Sequence, residues 1–128
     1  MPFDNPYQTP FGDLELLMGA RSRISDPDNW TKGSFSDGKR HCLVAALSLV
    51  AGSRSYNFPN RTERRLVGLL ANQLPPGRSF FTRITFISAR QRLMWFNDGY
   101  RTKHDDVMAL FDRTVDNLTS KAPQYVTA

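Results

Sequence analysis

The chain has 128 residues, a single cysteine, two histidines and a formal net charge of +5. That length suits one domain, which buries roughly two-thirds of its unfolded surface and needs no staple. Cys42 has no partner for an intramolecular disulfide, the residues after Met1 lack a secretory layout, and the longest apolar run, 42–51, is about half the ~20 residues of a membrane span. A disulfide scaffold and a membrane protein are therefore excluded as expectations, and a reducing, cytoplasmic setting is expected.

Residues 1–10 carry three prolines and no apolar period, so they read as an extended N-terminal arm. Thr9 and Pro10 then open a helix, because proline is tolerated in a first turn where its missing N–H is not needed. Phe11, Leu14, Leu17, Met18 and Ile24 recur at helical steps. Ser25, Asp26, Pro27, Asp28 and Asn29 end that helix with turn chemistry. Residues 30–38 hold no lasting period and predict an ordered loop or short strand anchored by Trp30 and Phe35, with Asp37 and Gly38 as a turn.

A second, central helix follows, with Leu43, Ala46, Leu47 and Val50 on one face and Gly52 at the position of a left-handed cap. Asn60 with Glu63 three residues later resembles a capping box opening a third helix, whose stripe is Leu66, Leu69, Leu70 and Leu74. Pro75, Pro76 and Gly77 stop it. Residues 80–97 fit a fourth helix, although 80–87 also has strand-like composition. Asn97, Asp98 and Gly99 break that element. Thr102, with Asp105 three residues on, is the expected cap of a fifth helix striped by Val107, Leu110, Phe111 and Leu118 and closed by Lys121 and Pro123. The expected fold is mainly α: a compact single domain of about five helices over 11–121, with a short strand or hairpin near 31–37 or 80–87, and a tail at 122–128.

Three sets of side chains carry chemistry. Cys42 is the one thiol, and its place at the start of a helix offers to lower its pKa through the helix dipole. The plainer reading is a small core residue, since free cysteine is readily buried. His41 points about 100° away from it on a helix, so a base would have to come from His104 or elsewhere. One cysteine and two distant histidines give no metal-site spacing, and no Gly-rich phosphate loop is present, so no metal and no cofactor is implied.

The second set joins Asn97, Asp98, Arg101 and Thr102 with Trp30 and Asp37 as walls of a candidate polar pocket. Here the plainer reading is turn and cap chemistry, with Trp30 as a core anchor. The third set is basic. Residues 1–31 are net −3, 32–103 net +10 and 104–128 net −2, and thirteen of the seventeen cations are arginine, the side chain suited to bidentate phosphate or carboxylate contact. Arg61, Arg64, Arg65, Arg83 and Arg90, with Arg78, Arg92, Tyr56 and Phe58 nearby, form a candidate anion-binding surface. Scattered solvated charge is the alternative.

The sequence Trp30-Thr31-Lys32-Gly33, then Asp37 and Cys42-Leu43 with Ala45-Ala46-Leu47, then Phe96-Asn97-Asp98 with Arg101-Thr102 and Asp106-Val107, is similar to a family of small bacterial and phage proteins classed as a domain of unknown function. The resemblance spans about residues 14–118 and departs at Phe96, where Trp is usual, and Ala45, where Gly is common. It implies a compact helical domain and singles out Trp30, Asp37, Cys42, Asn97, Asp98 and Thr102, but implies no activity. From the residues, the leading expectation is a non-enzymatic binding or regulatory domain whose basic middle region meets a nucleic acid or an acidic protein. A Cys42-dependent hydrolase or transferase, and an accessory protein acting by self-association, are the alternatives.

Overall fold

The computed structural model describes residues 10–54, 58–75 and 88–127. The first helix, α1 (Pro10–Arg23), begins with the proline at its first position, as its chemistry dictates. It buries Asp13, Leu17, Ala20 and Ile24. Those positions drift slowly around a 3.6-residue helix, which leaves Met18, expected in the stripe, 54% exposed. After α1 the Asp26 carboxylate accepts the Asp28 N–H at 2.9 Å and starts a single 3₁₀ turn, Pro27–Asn29.

A small antiparallel hairpin follows, β1 (Ser36–Asp37) and β2 (Arg40–His41), paired Ser36 to His41 and Asp37 to Arg40. Gly38 opens its two-residue turn at φ 63°, a backbone state that L side chains resist. The hairpin thus begins inside the expected 31–37 window and runs on to His41, and the 80–87 alternative lies outside the described residues, as do Tyr56, Arg78, Arg83 and the arm at 1–9.

The core is organised around α2 (Leu43–Ala51), in which Leu43, Val44, Ala45, Ala46 and Leu47 are all fully buried. A helix start so apolar all round needs cover on several sides, and α1, α3 and α4 pack against it, while Leu49 near its end stays 44% exposed. Gly52 ends it in the left-handed conformation at φ 73°. Close approach of α1 is visible at Gly19, where a Cβ would sit 3.5 Å from Val50 Cγ1.

Helix α3 (Arg61–Ala71) is capped by Asn60, whose Oδ1 accepts the Glu63 N–H at 2.8 Å while its Nδ2 donates to Ala51 O at 2.8 Å. The expected reciprocal half of the capping box is replaced. The Ser53 hydroxyl accepts the Asn60 N–H at 3.2 Å and donates to Glu63 Oε1 at 2.6 Å, so Glu63 reaches the cap through Ser53. The buried stripe is Glu63, Leu66, Val67, Leu70 and Ala71, with Leu69 and Leu74 only partly covered.

Three helix boundaries differ from expectation. Helix α4 (Ala89–Asp98) opens inside the span expected to be one helix, at the cap residue Ser88, whose Oγ accepts the Gln91 N–H at 3.1 Å, and the 80–87 part of that span lies outside the described residues. Helix α5 (His104–Thr127) is not capped by Thr102. The Asp106 carboxylate accepts the Lys103 N–H at 2.8 Å, and buried Thr102 belongs to the preceding turn. Nor does Pro123 end α5, since a proline removes one ladder bond without forcing a helix to stop there. Helix α5 buries Val107, Met108, Leu110, Phe111 and Leu118 against α1 and α3. No described helix is long and apolar enough to cross a membrane.

Candidate functional site

Asn97 ends α4 with its side chain fully buried, and every hydrogen-bonding position of its carboxamide faces a partner. Oδ1 accepts the Trp30 indole N–H at 2.7 Å and the Leu43 N–H at 3.1 Å. Nδ2 donates to Thr31 O at 3.1 Å and to Asp98 Oδ1 at 2.9 Å. One side chain therefore joins the loop after α1, the first turn of α2 and the last turn of α4. Asp98 extends the tie by accepting the Gly33 N–H at 2.8 Å, and Lys32 Nζ donates to Gly99 O at 2.7 Å while lying 5.8 Å from the Trp30 ring. His104 packs edge-on against Trp30 with ring centroids 5.7 Å apart and donates from Nε2 to Ile24 O at 2.7 Å.

Beside this tie is a small open cavity of about 160 Å³ lined by Gly33, Phe35, Cys42, Met94, Asn97 and Asp98 among others. It brings Cys42 together with Asn97 and Asp98. Trp30 and Thr102 stand behind it and outside its lining. Asp37 is remote from it in function: exposed on the hairpin, it forms an ion pair with Arg40. Arg101 is exposed at the tip of the turn that leads into α5.

Cys42 is the N-cap of α2, and its Sγ accepts the Ala45 N–H at 3.4 Å. Burial pushes the thiol above its ordinary value of 9.0, and the Ala45 and Val44 amides and Arg90 only partly oppose the rise, to which Asp98 adds. The direction is opposite to the one the helix start suggested, because loss of solvent outweighs the backbone dipoles. His41 Nδ1 pairs with Ser36 Oγ at 2.7 Å and His104 is held by Ile24, so neither imidazole lines the cavity. Among the described residues no group of three or more His, Cys, Asp or Glu is placed to hold a metal ion.

The arginine set divides in two. Arg65 turns inward and donates from Nε to Asp13 at 2.9 Å, and Arg90 donates to the fully buried Glu63 at 3.4 Å and lies 5.9 Å from the Phe35 ring. Burial holds Asp13 above its ordinary 3.8, against the hydrogen bond and charge of Arg65. Arg61 and Arg64 stay exposed, and Arg54, which the sequence reading left out, joins them where Ser53 binds the α3 cap. Among the described residues none of these three meets a carboxylate within ion-pair distance. Phe58, 71% exposed, lies between Arg54 and Arg61 in the sequence. On α4, the buried Arg92 Nε has no acceptor among the described residues.

The model of a family described as "Family of unknown function (DUF6197)" matches residues 9–117. The chain belongs to that family. Comparison with curated proteins and with solved structures gives no match. In this DUF6197 chain the matched span takes in the Asn97 tie, the Cys42 cavity and the exposed arginines alike. Sequence reasoning missed the Asp13–Arg65 and Glu63–Arg90 pairs. The available signal was two acids in otherwise apolar helix faces, each of which calls for a cation.

Proposed function

We propose that this chain is a non-enzymatic binding domain whose arginine face, Arg54, Arg61 and Arg64, engages the phosphates of a nucleic acid. The carrying observation is that Arg54, next in sequence to the Ser53 that binds the α3 cap, and Arg61 and Arg64, one turn apart on α3, are all exposed, while the acid between the latter two, Glu63, is buried and bonded inward to Ser53 and Arg90. The local field is thus left uncompensated, and arginine supplies the fork geometry that phosphate accepts. An exposed aromatic, Phe58, beside the cations adds a stacking surface.

Fluorescence anisotropy with labelled DNA and RNA 20-mers tests the reading. Three phosphate contacts give a log–log salt slope of about −2 to −3, so affinity falls roughly 20- to 40-fold between 50 and 200 mM salt. Replacing Arg61 and Arg64 together by Gln reduces the slope to about −0.7 to −0.9. Absence of binding at 50 mM salt, or binding indifferent to salt, sinks the proposal. Tighter binding to poly-glutamate than to either oligonucleotide redirects it to an acidic protein surface.

A further inference from the structure

A second cavity, of about 290 Å³, opens between the start of α3 and the start of α4, next to the exposed arginines. Pro59, Val67 and Ala89 give it apolar walls, and Arg64, Ser88 and Arg90 supply its polar edge. Glu63 lies at its floor with no exposed surface, and its two oxygens are engaged by Ser53 and Arg90, so the groups offered to a visitor are donors on an apolar base. Its size is at the lower limit of the ~300–1,000 Å³ that hold drug-sized ligands, which suits one planar ring system. The chemistry asked for is a flat, largely apolar body with acceptors at its rim and a negative charge outside it.

A nucleobase attached to its phosphate meets that description. In a duplex the bases are stacked and paired, so only a single strand presents one without first breaking both. We propose that this cavity receives one unstacked base of single-stranded nucleic acid, with the Ser88 hydroxyl donating to the base edge, Arg64 at the rim meeting that nucleotide's own phosphate, Arg54 and Arg61 meeting the flanking phosphates, and Phe58 stacking on a neighbouring base. The proposal rests on the nucleic-acid reading of the arginine face and adds the strand form and the seat of the base.

Two measurements test it. The first uses Ala89→Phe, which fills the cavity from its rim at a partly exposed position, with Ala89→Ser as the volume-neutral control. Single-strand affinity falls about 10-fold or more in the Phe variant, while duplex and heparin binding stay within about twofold, because a seated base contributes far more than one rim contact. The second uses wild-type protein and single strands carrying 2-aminopurine at successive positions. Among the described residues the cavity lining holds no aromatic side chain, so an inserted base leaves its stacked neighbours and brightens severalfold at one position or at every position in turn. Unchanged single-strand affinity in a folded Ala89→Phe variant, or no brightening anywhere along a strand that does bind, overturns the base-seat proposal and leaves the arginine-face reading standing. Failure of the wild-type chain to bind any oligonucleotide removes both.

Discussion

Replacing Asn97 by Ala tests the tie that organises the loop and both helix ends. The substitution strands the Trp30 indole N–H, the Leu43 N–H and the Thr31 carbonyl, all of which the carboxamide satisfies within the fold. A buried polar group left alone costs about 1–3 kcal/mol. The adjoining cavity of about 160 Å³ can admit water to part of the vacated space, which places the total nearer the lower end of three such costs, at about 4 kcal/mol. Against a domain stability of about 5–15 kcal/mol that is a large fraction, and it lowers the melting temperature by about 15 °C. Urea unfolding followed by circular dichroism gives the free energy, and calorimetry the temperature.

Asn97→Asp separates hydrogen-bond geometry from shape. It keeps two acceptors but turns an oxygen toward Thr31 O and Asp98 Oδ1, which are acceptors too. The folded chain therefore holds that new proton more tightly than the unfolded chain does, and the variant regains stability relative to wild type as pH falls toward 4. A loss under about 1 kcal/mol for Asn97→Ala, or an Asn97→Asp deficit that does not change with pH, would refute the account of Asn97 as the tie.

Three other outcomes follow from the same contacts. Because Asp13 has a raised pKa in the folded chain, its ionisation opposes folding. That contribution is absent well below 3.8 and grows as pH rises from there to the raised value, so the stability of wild type relative to Asp13→Asn declines as pH rises above 3.8, and a flat difference counts against it. Cys42 is buried with a raised pKa, so at pH 8 a disulfide reagent labels the native thiol at least ~100-fold more slowly than the unfolded chain, and equal rates would place the thiol in solvent. Gly99→Ala puts a Cβ 2.9 Å from Thr102 Oγ1 and 3.3 Å from Phe96 O. It costs about 1–3 kcal/mol, and less in a Thr102→Ala background, because the closest clash is with that hydroxyl; strict additivity of the two changes would show the clash is elsewhere.

What the sequence discloses depends on how local the cause is. Pro10, Gly52 and Asn60 mark helix ends correctly because each acts on backbone groups a few residues away. The start of α4 is harder to see, since Ser88 is one cap within a run whose apolar spacing continues the helical period on both sides. Thr102 shows the opposite error. Its spacing to Asp105 imitates a cap, but the cap geometry is built one residue later, between Lys103 and Asp106. The Asn97-Asp98 segment was legible as a helix end. Its character was not, because Asn97 looks like turn chemistry until partners 54 to 67 residues away are brought to it. The arginines divide for the same reason: whether Arg65 faces water or Asp13 depends on where α1 packs, 52 residues away in sequence.

The side chains that the fold employs and those it leaves over make opposite predictions, and Arg61 shows how to tell them apart. It is the first residue of α3, where the partial positive charge of the helix end favours an acid and disfavours a cation by about 0.3–1 kcal/mol. Arg64 is one turn along on the same exposed side. Neither meets an acid among the described residues, so their charge repels the helix end and each other with no internal return. Arg61→Glu therefore stabilises the chain by about 0.5–1 kcal/mol in urea unfolding while weakening oligonucleotide binding, two changes of opposite sign. A structural arginine gives the reverse pattern on stability: Arg90→Glu leaves Glu63 buried beside a like charge and lowers it by several kcal/mol. If Arg61→Glu destabilises the chain as well as weakening binding, Arg61 is part of the fold's own electrostatics and the arginine face loses its claim to be a surface held ready for a partner.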